Sequence, residues 1–182
     1  MACAIPRLAP EFPFPPYAYV RGQHPHPTRN PAGHSFGRPA PFWARLDPKQ
    51  WEVCRPYLYG IDLFNHGYYW EAHEVWEGLW HACGRRGVTA DFLKGLIALA
   101  AAGVKLREGN DRGVRGHAVR AQALFEQVSR ALGPGETHYL GVEANILCRG
   151  AAAIAGGHVI LASGQDAVLP CLLSPEKRGR WR

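Results

Sequence analysis

The densest run of reactive side chains in this 182-residue chain is Phe64-Asn-His-Gly-Tyr-Tyr-Trp-Glu-Ala-His-Glu-Val-Trp-Glu-Gly-Leu-Trp80. Within it His73 and Glu77 are four residues apart, so on a helix their side chains are neighbours on one face. An imidazole and a carboxylate so placed can hold a divalent metal of the Zn, Fe or Mn kind, or pass a proton as general base and acid. Glu74 or Glu71 would supply a further carboxylate. One helix offers two ligands comfortably, so a metal would draw others from His24, His26 or His34, or from His117. The spacing is neither the H-E-x-x-H of zinc proteases nor the Glu-x-x-His of di-iron bundles, because Glu71 precedes His73 by only two positions. Asn65, Asn110, Trp76 and Trp80 are candidate pocket residues around the same helix.

These residues also have a plainer account. Glu71, His73, Glu74 and Glu77 can serve as packing contacts with Arg107, Arg115 or Asn65, and carboxylates in a first turn suit the helix dipole without any function. Large aromatics at helical spacing commonly fill a core, and Asn65 and Asn110 fall in turns, where Asn is expected for backbone reasons. Position separates the two accounts. With a helix over Trp70–His81 opening near Tyr69, after Gly67, the residues Ala72, Val75, Trp76 and Leu79 form the core-facing stripe. His73 and Glu77 lie at one margin and Glu71 at the other, while Glu74 and His81 point outward. Glu74, outward on this reading, is expected in solvent; finding it buried beneath the N-terminal segment beside His24, His26 or His34 would favour chemistry, since a buried carboxylate and imidazole require a partner.

The elements that must position this helix follow from the rest of the chain. Up to about residue 46, Pro and Gly recur too often for a long helix or a central strand. Phe12, Phe14, Tyr17 and Tyr19 nevertheless give this stretch apolar anchors, which a solvated linker lacks. It is expected to be an extended Pro/His-rich arm, residues 1–46, lying on a helical body at 47–175, with a basic tail at 176–182. Asp47-Pro48 starts a short helix that Pro56 interrupts. Helices are then expected over Tyr57–Asn65, Trp70–His81, Asp91–Arg107, Arg112–Leu132 and Tyr139–Ala155. The Asp91–Arg107 segment is apolar nearly all round and belongs at the centre. His158–Ala162 and Ala167–Leu173 read as short extended segments. The fold class is all-α, a compact helical bundle.

The net charge of +6 is carried by the flanks, +4 over residues 1–46 and +3 over 176–182, so the body is close to neutral. Five scattered cysteines without a C-x-x-C pair indicate reduced thiols. With no secretory leader and no apolar run of spanning length, a cytoplasmic protein without a membrane association is expected.

The set Phe64-Asn65, Gly67, Glu71-Ala72-His73-Glu74, Trp76-Glu77 and Trp80, followed by Gly95-Leu96-Ile97, Ala100, Gly109-Asn110 and Gly113, resembles the family catalogued as domain of unknown function 309. The likeness runs from about Tyr57 to Leu132. It implies a compact all-helical bundle and brings no activity with it.

Two functional classes stand open. One is a small metal-assisted or acid–base enzyme, such as a hydrolase, in which His73 and Glu77 act with Glu74 and an arm histidine. The other is a non-catalytic module that binds a partner protein, a second copy of itself, or nucleic acid through Lys177–Arg182. No phosphate loop, nucleophile elbow or dinucleotide fingerprint is present to support nucleotide chemistry.

Overall fold

A computed structural model of the chain describes residues 5–39, 41–157, 169 and 173–176. A short 3-10 helix at Pro48–Val53 leads into α1 (Arg55–Asn65), α2 (Tyr69–Ala82), α3 (Val88–Arg107) and α4 (Asp111–Ala131). A two-stranded hairpin, β1 (His138–Tyr139) with β2 (Val142–Glu143), then gives way to α5 (Ala144–Ala155). The protein is a mostly helical bundle in which each helix packs chiefly on its neighbours in sequence: α1 on α2, α2 on α3, α3 on α4 and α4 on α5.

Local sequence explains most boundaries. Asp47 caps the 3-10 helix by accepting the Lys49 N–H at 2.9 Å. Pro56 falls at the second position of α1, where its missing N–H costs nothing, so the helix begins two residues before the expected Tyr57. Gly67 adopts a φ of +81° between α1 and α2, a conformation that suits glycine. Asn110 caps α4 by accepting the Gly113 N–H at 2.9 Å.

The core is centred on α3. Phe92, Leu93, Leu96 and Leu99 are fully buried in it, and its small residues let larger rings approach. The Phe125 ring of α4 lies over Gly95, and the Tyr69 ring of α2 lies over Gly103. The buried residues of α4, Val114, Ala118, Ala121, Phe125 and Val128, recur every three or four positions on the face turned to α3.

One element departs from expectation. The first residues of the helix expected over Tyr139–Ala155 form the hairpin instead, turning through Leu140 and Gly141 at φ +48° and +79°. Positive φ at both central residues is the requirement of a tight hairpin turn of the type I′ class. The turn is held from outside: Leu140 is buried, its carbonyl accepts the Tyr57 hydroxyl at 2.9 Å, and Trp51 packs on Gly141. The extended runs expected at His158–Ala162 and Ala167–Leu173, apart from buried Leu169 and Leu173, lie outside the described residues, as does the basic tail Lys177–Arg182.

Residues 5–39 contain no helix or strand and lie against α1 and α2 through aromatic stacking. Phe12 meets Tyr59 with ring centroids 5.1 Å apart, and Phe14 stacks on Tyr68 at 4.9 Å. Tyr19 and His26 each meet Trp70 edge-on at 5.5 Å. Prolines deprive this stretch of backbone pairing, so side chains of the body take over that role.

Candidate functional site

Two carboxylates of the body fix the N-terminal segment. Asp62, on the buried face of α1 and 1% exposed, accepts the Leu8 N–H at 2.7 Å and the Ala9 N–H at 2.8 Å, with Arg7 Nε at 3.4 Å. Glu71, in the first turn of α2 and 5% exposed, accepts the Tyr19 N–H on Oε1 at 2.9 Å and meets His34 Nε2 at 3.2 Å. His34 in turn is 2.8 Å from Ser35 Oγ through Nδ1. A hydrogen-bonded line thus runs Glu71–His34–Ser35, joining the floor of a cleft to its wall.

The cleft lies between α2 and residues 15–39 and 41–43 of the segment, encloses about 460 Å³, and is lined from α2 by Trp70, Glu71, Glu74, Glu77 and His81. Its opposite wall carries His34, Ser35, Arg38 and Trp43. This volume falls in the range of small-molecule sites. Gly78 allows the wall to close in, because the Trp43 indole occupies the space where a Cβ would stand.

Burial dominates the electrostatics. Desolvation pushes the Glu71 carboxyl up to about 7, against the opposing pull of the Tyr19 N–H, its own backbone, Arg107 and His24. Desolvation also lowers His34, with Arg38 adding to the effect. Glu71 Oε2 is buried and has no hydrogen-bond partner among the described residues; the same is true of His24 Nδ1, His73 Nδ1 and Arg107 Nε. A carboxyl that titrates near neutrality, in contact with a neutral imidazole, has the properties of a proton-transfer pair.

His73, Glu74 and Glu77 form a second, adjoining group. One ligand atom from each lies within 4.8 Å of the others, and His73 Nδ1 is 3.4 Å from Glu74 Oε1. Glu74 is exposed, as the angular reading of α2 requires, whereas His73 and Glu77 are half-buried. Glu74 and Glu77 also line the cleft; His73 does not. On α4, His117 is lowered first by burial, then by Arg120, Lys105 and His73.

The other expected residues go elsewhere. His24 stacks on Tyr17 at 4.8 Å, and His26 packs on Trp70, so of the arm histidines it is His34 that reaches a carboxylate of α2. Trp76 is fully buried in the core, with its indole N–H donating to the Tyr57 carbonyl at 3.4 Å. Trp80 packs near Arg85 and Lys94. Asn65 pairs with both backbone groups of Leu173, at 2.7 and 2.8 Å, and Asn110 is the α4 cap. None of these four lines the cleft.

Sequence reasoning did not single out Asp62, Ser35, Arg38 or Trp43. Asp62 left a trace, an acidic residue between Ile61 and Leu63 on an apolar face. The others depend on how an irregular segment folds back, which no periodicity encodes.

Residues 57–116 match the family model described as Domain of unknown function (DUF309), which spans α1 to the first part of α4 and includes Glu71, His73, Glu74 and Glu77. No curated protein matches the chain. No helix of the described residues is long and apolar enough to cross a membrane.

Proposed function

We propose that the cleft between α2 and the N-terminal segment is the active site of a small acid–base enzyme, hydrolytic in kind, with Glu71 and His34 as its proton-transfer pair. The observation that carries this reading is the buried Glu71 carboxylate. One oxygen is committed to Tyr19 and His34, the other has no partner among the described residues, and the side chain borders a cavity of ligand size. A carboxyl near 7 takes and returns a proton at neutral pH with little penalty either way. His34 relays that proton toward Ser35 at the cleft wall, and Glu74 and Glu77 give the remaining wall a negative charge.

The test is hydrolysis of a panel of chromogenic carboxylic and phosphoric esters and amides by the full chain. Glu71→Gln and His34→Ala should each lose at least about a hundredfold of the activity, the scale of one acid–base group, while an Asp62→Asn control, altered at the other anchor, keeps it. Absence of turnover across the panel, or turnover indifferent to both substitutions, overturns the reading.

A second reading is favoured by one observation, the convergence of His73, Glu74 and Glu77. These residues would hold a divalent cation of the Zn, Fe or Mn kind at the cleft rim. Imidazole nitrogen and carboxylate oxygen are fitting donors for those ions, and His73 Nδ1, 3.4 Å from Glu74 Oε1, is buried without a hydrogen bond among the described residues. Such an ion would polarise a bound carbonyl or phosphoryl group.

A further inference from the structure

We propose that the cleft selects small organic cations, compounds bearing a primary ammonium group, held by the carboxylates of Glu71, Glu74 and Glu77 between the indoles of Trp43 and Trp70. The inference names the ligand class of the cleft described above and rests on its being a binding site, though not on its being catalytic.

Three carboxylates at positions 71, 74 and 77 climb one side of α2 and all line the cavity, against a single guanidinium, Arg38, which is exposed. Two histidines, His34 and His81, and the Tyr59 phenol complete the ionisable lining, and His34 is already engaged with Glu71 and Ser35. An acidic row alone is an ordinary solvated helix face, but Glu71 is not solvated. It is 95% buried on its side-chain surface, and its Oε2 lacks a donor among the described residues. A buried carboxylate oxygen without a donor is costly, and an ammonium group brings three N–H donors together with the compensating charge. Trp43, Trp70 and Tyr59 give the same cavity an aromatic lining, which attracts cations through the ring quadrupole and repels anions. A dicarboxylate or phosphate ligand would face Glu71, Glu74 and Glu77 with Arg38 as the one guanidinium in the lining, since Arg107 and His24 act on Glu71 from outside it.

The experiment is titration of the full chain with 1,4-diaminobutane, with 1,4-butanediol and succinate as neutral and anionic counterparts, read by NMR of the tryptophan indole N–H resonances. The diamine should shift the Trp43 and Trp70 signals saturably and leave core Trp76 unmoved, while the diol and succinate shift neither. The double variant Glu74→Gln/Glu77→Gln, which leaves the Tyr19 and His34 contacts of Glu71 in place, should weaken the diamine by about tenfold or more, as expected for loss of charge-assisted hydrogen bonds. Equal shifts from the diol, preference for succinate, or affinity unchanged in the double variant would sink the proposal. The two readings fail separately: diamine binding without turnover on any ester or amide removes the catalytic reading and keeps this one, and turnover with no preference for amines does the reverse.

Discussion

His34 Nε2 sits 3.2 Å from Glu71 Oε1, bringing together two residues 37 positions apart, one from a stretch without regular structure and the other from the first turn of α2. Burial acts on the two in opposite senses, raising the carboxyl and lowering the imidazole, and in both cases it favours the neutral form.

That pairing gives stability a dependence on pH. Glu71 is raised in the folded state, so the stability it contributes is present below the ordinary carboxyl value of 4.5 and is lost as pH rises toward about 7. His34 is lowered, so its contribution is present above 6.5 and is lost as pH falls. Because the two slopes oppose one another, the informative quantity is the difference between wild type and Glu71→Gln. Denaturant unfolding between pH 4 and 8 should show the variant gaining on wild type as pH rises, by up to about 3 kcal/mol at the converted shift. The neighbouring His24, Arg107, Tyr59, Glu74 and Glu77 are unchanged in both proteins. Parallel curves would mean that Glu71 titrates like an exposed carboxylate.

Asp62 is expected to be the mechanical anchor of the segment. Asp62→Ala leaves the Leu8 and Ala9 N–H groups without their acceptor and should cost about 1–3 kcal/mol, from one buried and one half-buried donor left unsatisfied. Asp62→Asn, which retains one acceptor oxygen, should cost less. Trypsin digestion reports the consequence directly, because faster cutting at exposed Arg21 and Arg29 should accompany the alanine substitution. An unaltered digestion pattern would show that the aromatic stacking of Phe12 and Phe14 is sufficient.

Much of the body was legible because its elements are periodic. The apolar run of α3 and the stripe of α4 depend only on local spacing, and Asn110 and Gly67 mark boundaries by their own conformational preferences. The hairpin at Leu140-Gly141 was less visible, since its cause is tertiary: Tyr57 and Trp51 hold the turn from elsewhere in the chain. At the site, α2 was found and the angular assignment of Glu74 as outward agrees with its exposure. Which carboxylate would be buried was not legible. Glu71 and Glu74 are both three or fewer residues from His73, and only the path of the prolines at positions 13–16 and 25–31 decides that Glu71 lies beneath the segment.

Gly95 and Gly103 of α3 and Gly116 of α4 should respond to alanine in opposite ways. A Cβ at Gly103 meets the Tyr69 ring, and one at Gly95 meets Phe125, so each substitution should destabilise by about 1–3 kcal/mol through overpacking. Gly116, inside α4 and exposed, has nothing within 4 Å of that position, so Gly116→Ala should stabilise by about 0.5–1 kcal/mol from helix propensity alone. Thermal melts of the three variants settle the matter, and a neutral Gly103→Ala would show that Tyr69 is free to move aside.

The triad of His73, Glu74 and Glu77 offers a thermodynamic test independent of turnover. Ligands that bind only the folded state raise its stability by mass action, by about 2.7 kcal/mol at a hundredfold excess over Kd. Zinc or manganese added to protein stripped with chelator should therefore raise the melting temperature, and metal analysis should return one ion per chain. His73→Ala removes the only nitrogen donor of the group, and because His73 is half-buried rather than in the core, the variant should fold and lose the metal-dependent increment. Glu71→Gln lies outside the group and should keep it. A wild-type protein whose melting is indifferent to these ions, or an increment that survives His73→Ala, would leave Glu74 and Glu77 as the acidic wall of the cleft and nothing more.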